Sequence, residues 1–340
     1  MVPPVGHPLE TRSLRSAVEA IGAVAIAAGL AGSVRLLPWL LDPGVTFRLA
    51  APFARGVLLL AGEAAILVGW PLGWALAAAR HVETGERRAL AALGESPTGA
   101  VLRLVPQAAV FACVLAVVSF AGGREANAPG KVVTDLVARG RESCRSVEQA
   151  GTYAVPFAEL TWLCSPGAAP RLVGRGPGAL ANATFTALAA RTAGDLREID
   201  LDDARLHLEV SGGADIHVGA LRLHGLPPFA HASSVLPVAR AAGLALAGSI
   251  AAAASALGVL SGTLRGRLPA IVVAASASVA ALGSMRSIDR GDGGQYWSPY
   301  WARYGGWLPM LIPPLVALAV TLVVTGLLSR LPSRMWAASK

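Results

Sequence analysis

The chain has 340 residues, 54% of them hydrophobic and only 15% charged, with a mean hydropathy of +0.55 and a formal net charge of +8. Soluble proteins average about 45–50% apolar and about 25% charged. Disorder, a collagen-like chain and an ordinary cytosolic enzyme are therefore excluded, and an integral membrane protein with one polar region is expected.

The positive excess is almost all arginine, with Lys131 and Lys340 the only lysines, and it is scattered rather than clustered as a nucleic-acid footprint would be. Three cysteines are too few for a disulfide framework.

A spanning helix needs about 20 mostly apolar residues. The first such run, 17–41, follows Arg12 and Arg15 and is interrupted by Arg35. It outlasts the roughly 7–15 residues of a signal-peptide core and ends in Arg35-Leu36-Leu37-Pro38, so it reads as an uncleaved helix. Arg35 has two open roles, snorkelling to headgroups or offering a cation to an anionic ligand.

The second run, 53–79, carries Glu63. An ionisable group there costs about 2.5 kcal/mol or more unless paired or hydrated. Pairing with Arg35 or Arg55, or a wet cavity, is favoured over a proton relay.

The segment between the second and third runs reads as a short amphipathic helix, about 83–95. Leu90 and Leu93 share a face, Arg87 lies one turn earlier, Glu86 is a charge anchor and Gly94 is a stop. Such a helix rests on a membrane surface or fits a groove in a partner. The third run, 100–121, holds Cys113 as a small core residue.

A polar stretch, 122–234, follows. From about Thr152 the period becomes two: 205–210, 216–218 and 221–224 alternate apolar with charged residues around Gly212-Gly213, and weaker strands are expected at 153–157, 160–164, 171–173 and 183–187. These make a small β-sandwich or open jelly roll, too polar for lipid. Cys144 and Cys164 are candidates for a bridge. His207, His217, His224 and His231 read as solvated residues rather than metal ligands. No HExxH, CxxC, GxSxG or Walker pattern occurs, so energy from ATP would come from another subunit.

Three further runs, 235–260, 268–285 and 304–329, complete six. With the N-terminus inside, Arg12, Arg15, Arg80, Arg87, Arg88, Arg103, Arg265, Arg267, Arg330, Arg334 and Lys340 are cytoplasmic. Only Arg35, Arg48, Arg55, Arg286, Arg290 and Arg303 fall in short outer loops, which places both termini inside and the polar region outside.

Two short stretches resemble the LptF/LptG family of lipopolysaccharide-export permeases. The run from Glu86 to Ser96, with Ala92-Leu93-Gly94-Glu95-Ser96, is similar to the family's acid, apolar residues and Ala-x-Gly-x-Ser pattern. Arg265-Gly266-Arg267 is similar to its Gly-Arg turn. Arg87-Arg88 departs from the mostly apolar or neutral residues that follow the acid in the family, and the outer domain is short.

The resemblance implies an α+β inner-membrane protein of six transmembrane helices, three before and three after a periplasmic antiparallel jelly-roll-like domain. The domains would be 1–121, 122–234 and 235–340. It implies an LptB-type ATPase dimer that consumes the ATP, a second LptF/LptG-type permease, an LptC/LptA-type periplasmic bridge, and lipopolysaccharide as cargo. Glu86, Arg87, Leu90, Leu93 and Gly94 would couple to the ATPase, and Arg35, Arg48 and Arg55 would meet substrate. No cofactor, metal, nucleic acid or bond chemistry is expected of the chain itself. The rivals are a mechanotransmission permease, which places its outer domain after one helix, and a scaffold without substrate.

Overall fold

The computed structural model describes residues 8–41, 45–125, 128–156, 160–175, 183–192, 198–208, 214–224, 235–290 and 308–330. Helices α1 (Pro8–Leu40), α2 (Phe47–Glu83), α3 (Glu86–Ala92), α4 (Pro97–Leu102), α5 (Val105–Glu125) and α6 (Ala128–Arg145) precede strands β1 (Gly151–Val155), β2 (Leu160–Cys164), β3 (Arg171–Arg175), β4 (Ala183–Ala187), β5 (Ala189–Thr192), β6 (Glu198–Leu208) and β7 (Ala214–His224). Helices α7 (Pro237–Leu260), α8 (Arg267–Arg290) and α9 (Leu308–Arg330) follow. Six of these, α1, α2, α5, α7, α8 and α9, are long and apolar enough to cross a membrane, which is the character of a multi-pass membrane protein.

The third apolar helix starts later than its hydropathy suggests. Ser96 caps α4, its Oγ accepting from the Gly99 N–H at 3.0 Å, and a turn at Arg103 and Leu104 separates α4 from α5. Pro106 then falls in the first turn of α5, where its missing N–H is no loss.

The chain divides into two compact units, one of Met1–Ser33, Val57–Gly123 and Ser234–Lys340, the other of Val34–Gly56 and Arg124–Ser233. In the first, small residues set the helix spacing. A Cβ on Gly69 would lie 2.6 Å from the Ile21 backbone, and one on Gly73 would collide with Ala17, so α1 and α2 touch backbone to backbone. Gly243 meets the carbonyl of Pro309 in the same way, joining α7 to α9. Trp70 stacks on Phe111 at 5.6 Å and meets Trp74 edge-on at 5.7 Å, filling the space beside α7 at Gly248. The apolar stretch of α7 is 56% buried and that of α1 only 6%.

The second unit holds a curled antiparallel sheet of seven strands in the order β1-β2-β3-β4-β6-β5, with β7 paired to the free edge of β6. Among the described strands it is a meander. β4 and β5 lie end to end along one edge of β6, at 205–208 and 199–202 respectively. Between them Leu188 is opposite Asp203, which has a φ of +51°. Leu201 and Ala204 are both fully buried although three apart, so the alternation slips by one residue there. Leu221 and Val218, their partners on β7, slip together with them, leaving Gly219 at the same level.

Helix α6 was not foreseen within the polar stretch. It buries Val133, Leu136, Val137 and Cys144, and Cys144 is disulfide-bonded to Cys164 of β2. The Trp162 indole donates to the Val137 carbonyl at 3.0 Å. A Cβ at Gly140 would lie 2.7 Å from the Trp162 and Tyr153 rings, so only glycine lets α6 sit this close to the sheet. The Gly212-Gly213 turn, Val210 and His231 lie outside the described residues.

Candidate functional site

The most connected polar cluster surrounds α3. Helix α2 stops where Gly85, with φ +79°, donates its N–H to the Val82 carbonyl at 3.2 Å. A second left-handed glycine, Gly94 at φ +85°, follows the end of α3 and donates to Ala91 at 3.0 Å. Side chains rarely adopt that conformation, so the two glycines bracket a one-to-two-turn stub.

Glu86 opens the stub and is turned back onto the chain. Arg12 of α1 donates from Nη1 to Oε1 at 2.7 Å and to Oε2 at 2.9 Å, while Nδ1 of the buried His81 in α2 lies 2.8 Å from Oε2. Burial works against the Glu86 charge, but the bonds and positive charge of Arg12 and His81 outweigh it and hold the carboxyl below the ordinary glutamate value.

Neighbouring ties extend the cluster. Arg267 of α8 pairs with Glu83, Arg103 with Glu95 at 3.1 Å, and Gln107 of α5 donates to the Glu10 carbonyl at 2.6 Å. The Arg87 guanidinium lies against Gly262, in the turn between α7 and α8.

Leu93 falls just past α3 rather than on it, and it is 82% exposed. Leu90 is within α3, but its side chain lies outside the described residues. The expected shared apolar face of Leu90 and Leu93 therefore rests on a side chain outside the described residues, while Glu86, the expected anchor, is tied within the chain to Arg12 and His81.

Deeper in this unit, Glu63 of α2 meets Arg240 of α7. Arg240 donates from Nη2 to Oε1 at 2.7 Å and from Nε to Oε2 at 3.1 Å, and both side chains are almost completely buried. The partner is therefore neither Arg35 nor Arg55. The sequence reading missed Arg240, although a lone arginine near the start of an apolar helix was the signal for a lone acid in another. The fork geometry makes the pair bidentate.

Set beside known proteins, the chain matches no family model and no curated protein.

Arg35, Arg48 and Arg55 all belong to the unit that contains the sheet. Arg48 is exposed near the start of α2, and Arg55 pairs with Glu125 at 3.3 Å; the side chain of Arg35 lies outside the described residues. Cys113 is exposed on α5, not a core residue, because Phe111 and Leu115 occupy the buried face of that helix.

The polar face of the sheet carries paired charges. His207 lies 2.7 Å from Asp215 and His217 lies 2.5 Å from Asp203, across a shallow depression of about 440 Å³ edged by Thr184, Thr186 and Arg205. The hydrogen bond from His217 holds the half-buried Asp203 carboxyl below its ordinary value, against the opposing effect of burial and with help from the charges of His217, Arg171 and Arg205. Among the described residues no group of three histidine, cysteine, aspartate or glutamate side chains converges as a metal site.

Proposed function

We propose that this chain is a permease subunit of an ATP-driven exporter that lifts an anionic, lipid A-type glycolipid out of a bacterial inner membrane. In this reading three spans, a periplasmic β-domain of jelly-roll type and three further spans follow in order, with both termini cytoplasmic. An LptB-type ATPase dimer, a second LptF/LptG-type permease and an LptC/LptA-type bridge are its partners.

The observation that carries the reading is the stub α3, tied through one carboxylate to both α1 and α2. A short helix between the second and third apolar helices that is fastened to the first two can pass a push on it into both. Two further observations support it. A disulfide persists on an oxidising side of a membrane, which suits a periplasmic sheet. Three apolar helices come before β1, whereas a mechanotransmission permease has one.

The work to be done is physical. Moving several acyl chains out of a bilayer exposes apolar surface at about 25 cal/mol per Å², so an apolar cleft and an external energy source are both needed. Arg48 and Arg55, with Arg35, supply cations for the headgroup phosphates, for which guanidinium forks are suited.

Native mass spectrometry of the complex gently extracted from its own membranes tests this. The expected particle holds two ATPase subunits and a bound lipid of lipid A-type mass; a particle with neither removes the proposal in favour of a scaffold.

A further inference from the structure

We propose that the exposed face of β4, β6 and β7 binds a phosphate group, held by Arg205 at its centre and by Arg175 from the neighbouring β3. The proposal concerns the sheet alone and stands whether or not the chain belongs to an exporter.

Register places the groups. In one row across the sheet Arg175, Thr184, His207 and Asp215 are successive neighbours on β3, β4, β6 and β7; in the next row Thr186, Arg205 and His217 are neighbours on β4, β6 and β7. Their side chains share the face opposite Ala183, Phe185 and Leu206, which are buried. Strands lie about 4.8 Å apart, and alternate residues along a strand about 7 Å apart, so Arg205 is within side-chain reach of both threonines and both histidines. All of these residues except Arg175 line the depression of about 440 Å³.

The second argument is how charge is distributed. Other arginines of this sheet have carboxylates beside them: Arg171 lies 3.9 Å from Asp203, Arg191 3.5 Å from Asp202 and Arg222 2.6 Å from Asp200. Arg175 and Arg205 are exposed and make no ion pair among the described residues. Yet acids are at hand, for Asp203 is close enough to feel the charge of Arg205. Each nearby carboxylate is instead engaged by an imidazole, Asp203 by His217 and Asp215 by His207. The histidines thus keep the acids off Arg205 and leave its fork open.

The third argument is the donor set. A guanidinium offers a planar fork of N–H groups and no acceptor, which matches phosphate oxygens two at a time. The half-buried hydroxyls of Thr184 and Thr186, on the strand between the two guanidinia, can each donate one bond more. Donors arriving from three strands suit a tetrahedral oxyanion better than a flat carboxylate, which one fork alone would satisfy. Ile216 is the only large apolar residue lining the depression, so an acyl chain finds no bed there. The phosphate group can belong to a soluble ester or to a lipid headgroup.

The test is calorimetric titration of inorganic phosphate and of glucose 1-phosphate into the full chain in phosphatidylcholine nanodiscs at fixed ionic strength. Saturable binding is expected, weakened about tenfold in Arg205→Gln and less in Arg175→Gln, while Arg191→Gln leaves it unchanged. His217→Ala should also weaken binding, by releasing Asp203 onto Arg205, and adding Asp203→Asn should restore it. A histidine needed only for folding would not be rescued in that way. Unchanged melting temperatures check that these variants fold.

Nanodiscs carrying lipid A separate the two sources. Undiminished affinity for glucose 1-phosphate assigns the site to a soluble ester, competition assigns it to a headgroup, and both results support a phosphate site. Absence of saturable binding to the unaltered chain overturns the proposal. So do equal losses in Arg191→Gln and Arg205→Gln, which would mean diffuse positive charge alone. Neither failure touches the exporter reading, which stands or falls on its ATPase.

Discussion

The two units of this chain handle charge in opposite ways. The helical unit buries one ion pair almost completely, Glu63 with Arg240, with Gly123 against the Arg240 side chain. The sheet unit keeps its pairs on an exposed face, Asp200 with Arg222 and Asp203 with His217 among them, and gains its rigidity from a disulfide and a helix seated on Gly140. Similar side chains therefore have different energetic weight. A buried charge that loses its partner has no water to replace it, whereas an exposed one is solvated at once.

The contrast can be broken most directly at the buried pair. Arg240→Met leaves the Glu63 carboxylate uncompensated and should cost about 3–5 kcal/mol, read as a large fall in melting temperature of the whole chain in lipid nanodiscs. Replacing both partners with apolar residues should recover most of that loss. If the single change costs no more than a surface pair does, the pair is hydrated.

Removing the disulfide by Cys164→Ser should cost about 3 kcal/mol, since it frees a loop about 20 residues long. Faster proteolysis of the sheet unit, with the helical unit unaffected, is the expected readout. Equal loss in both units would mean that they unfold as one.

Acid should act more gently, through Glu86. Its carboxyl is held below the ordinary value of 4.5 in the folded chain, so the folded state binds fewer protons there than the unfolded one. The stabilisation is full above that ordinary value and is lost as pH falls through the lowered one. Hydrogen exchange of α3 should quicken in that acid range, and Glu86→Gln should abolish the step.

Smallest of all, Arg222→Ala on the sheet should change stability by less than about 1 kcal/mol in denaturant titrations.

Much of this was legible in the sequence because hydropathy and alternation are local signals. The apolar runs and the strands at 160–164 and 183–187 recur as elements, and the pause between the alternating runs 216–218 and 221–224 marks the slip at Gly219. Helix α6 was hidden by its polarity, although Val133, Leu136, Val137, Gly140 and Cys144 are spaced to share one face. The pairing of Glu63 with Arg240 spans 177 residues, and no local pattern reports which of several arginines an acid will meet. The same limit applies to Glu86, whose neighbours in sequence gave it an outward role while Arg12, 74 residues away, turned it inward.

The interruption at Leu188, Asp203 and Gly219 crosses three adjacent strands at one level, so it acts as a pleat line rather than a local flaw. Each strand is longer there by the same single residue, and the pairing on either side stays in step. Deleting Gly219 alone would turn the far half of β7 inside out, exposing Leu221 and burying Arg222, whereas trimming all three strands together would flatten the sheet with its greasy side still inward. Insertions and deletions at this level should therefore be tolerated only as matched sets.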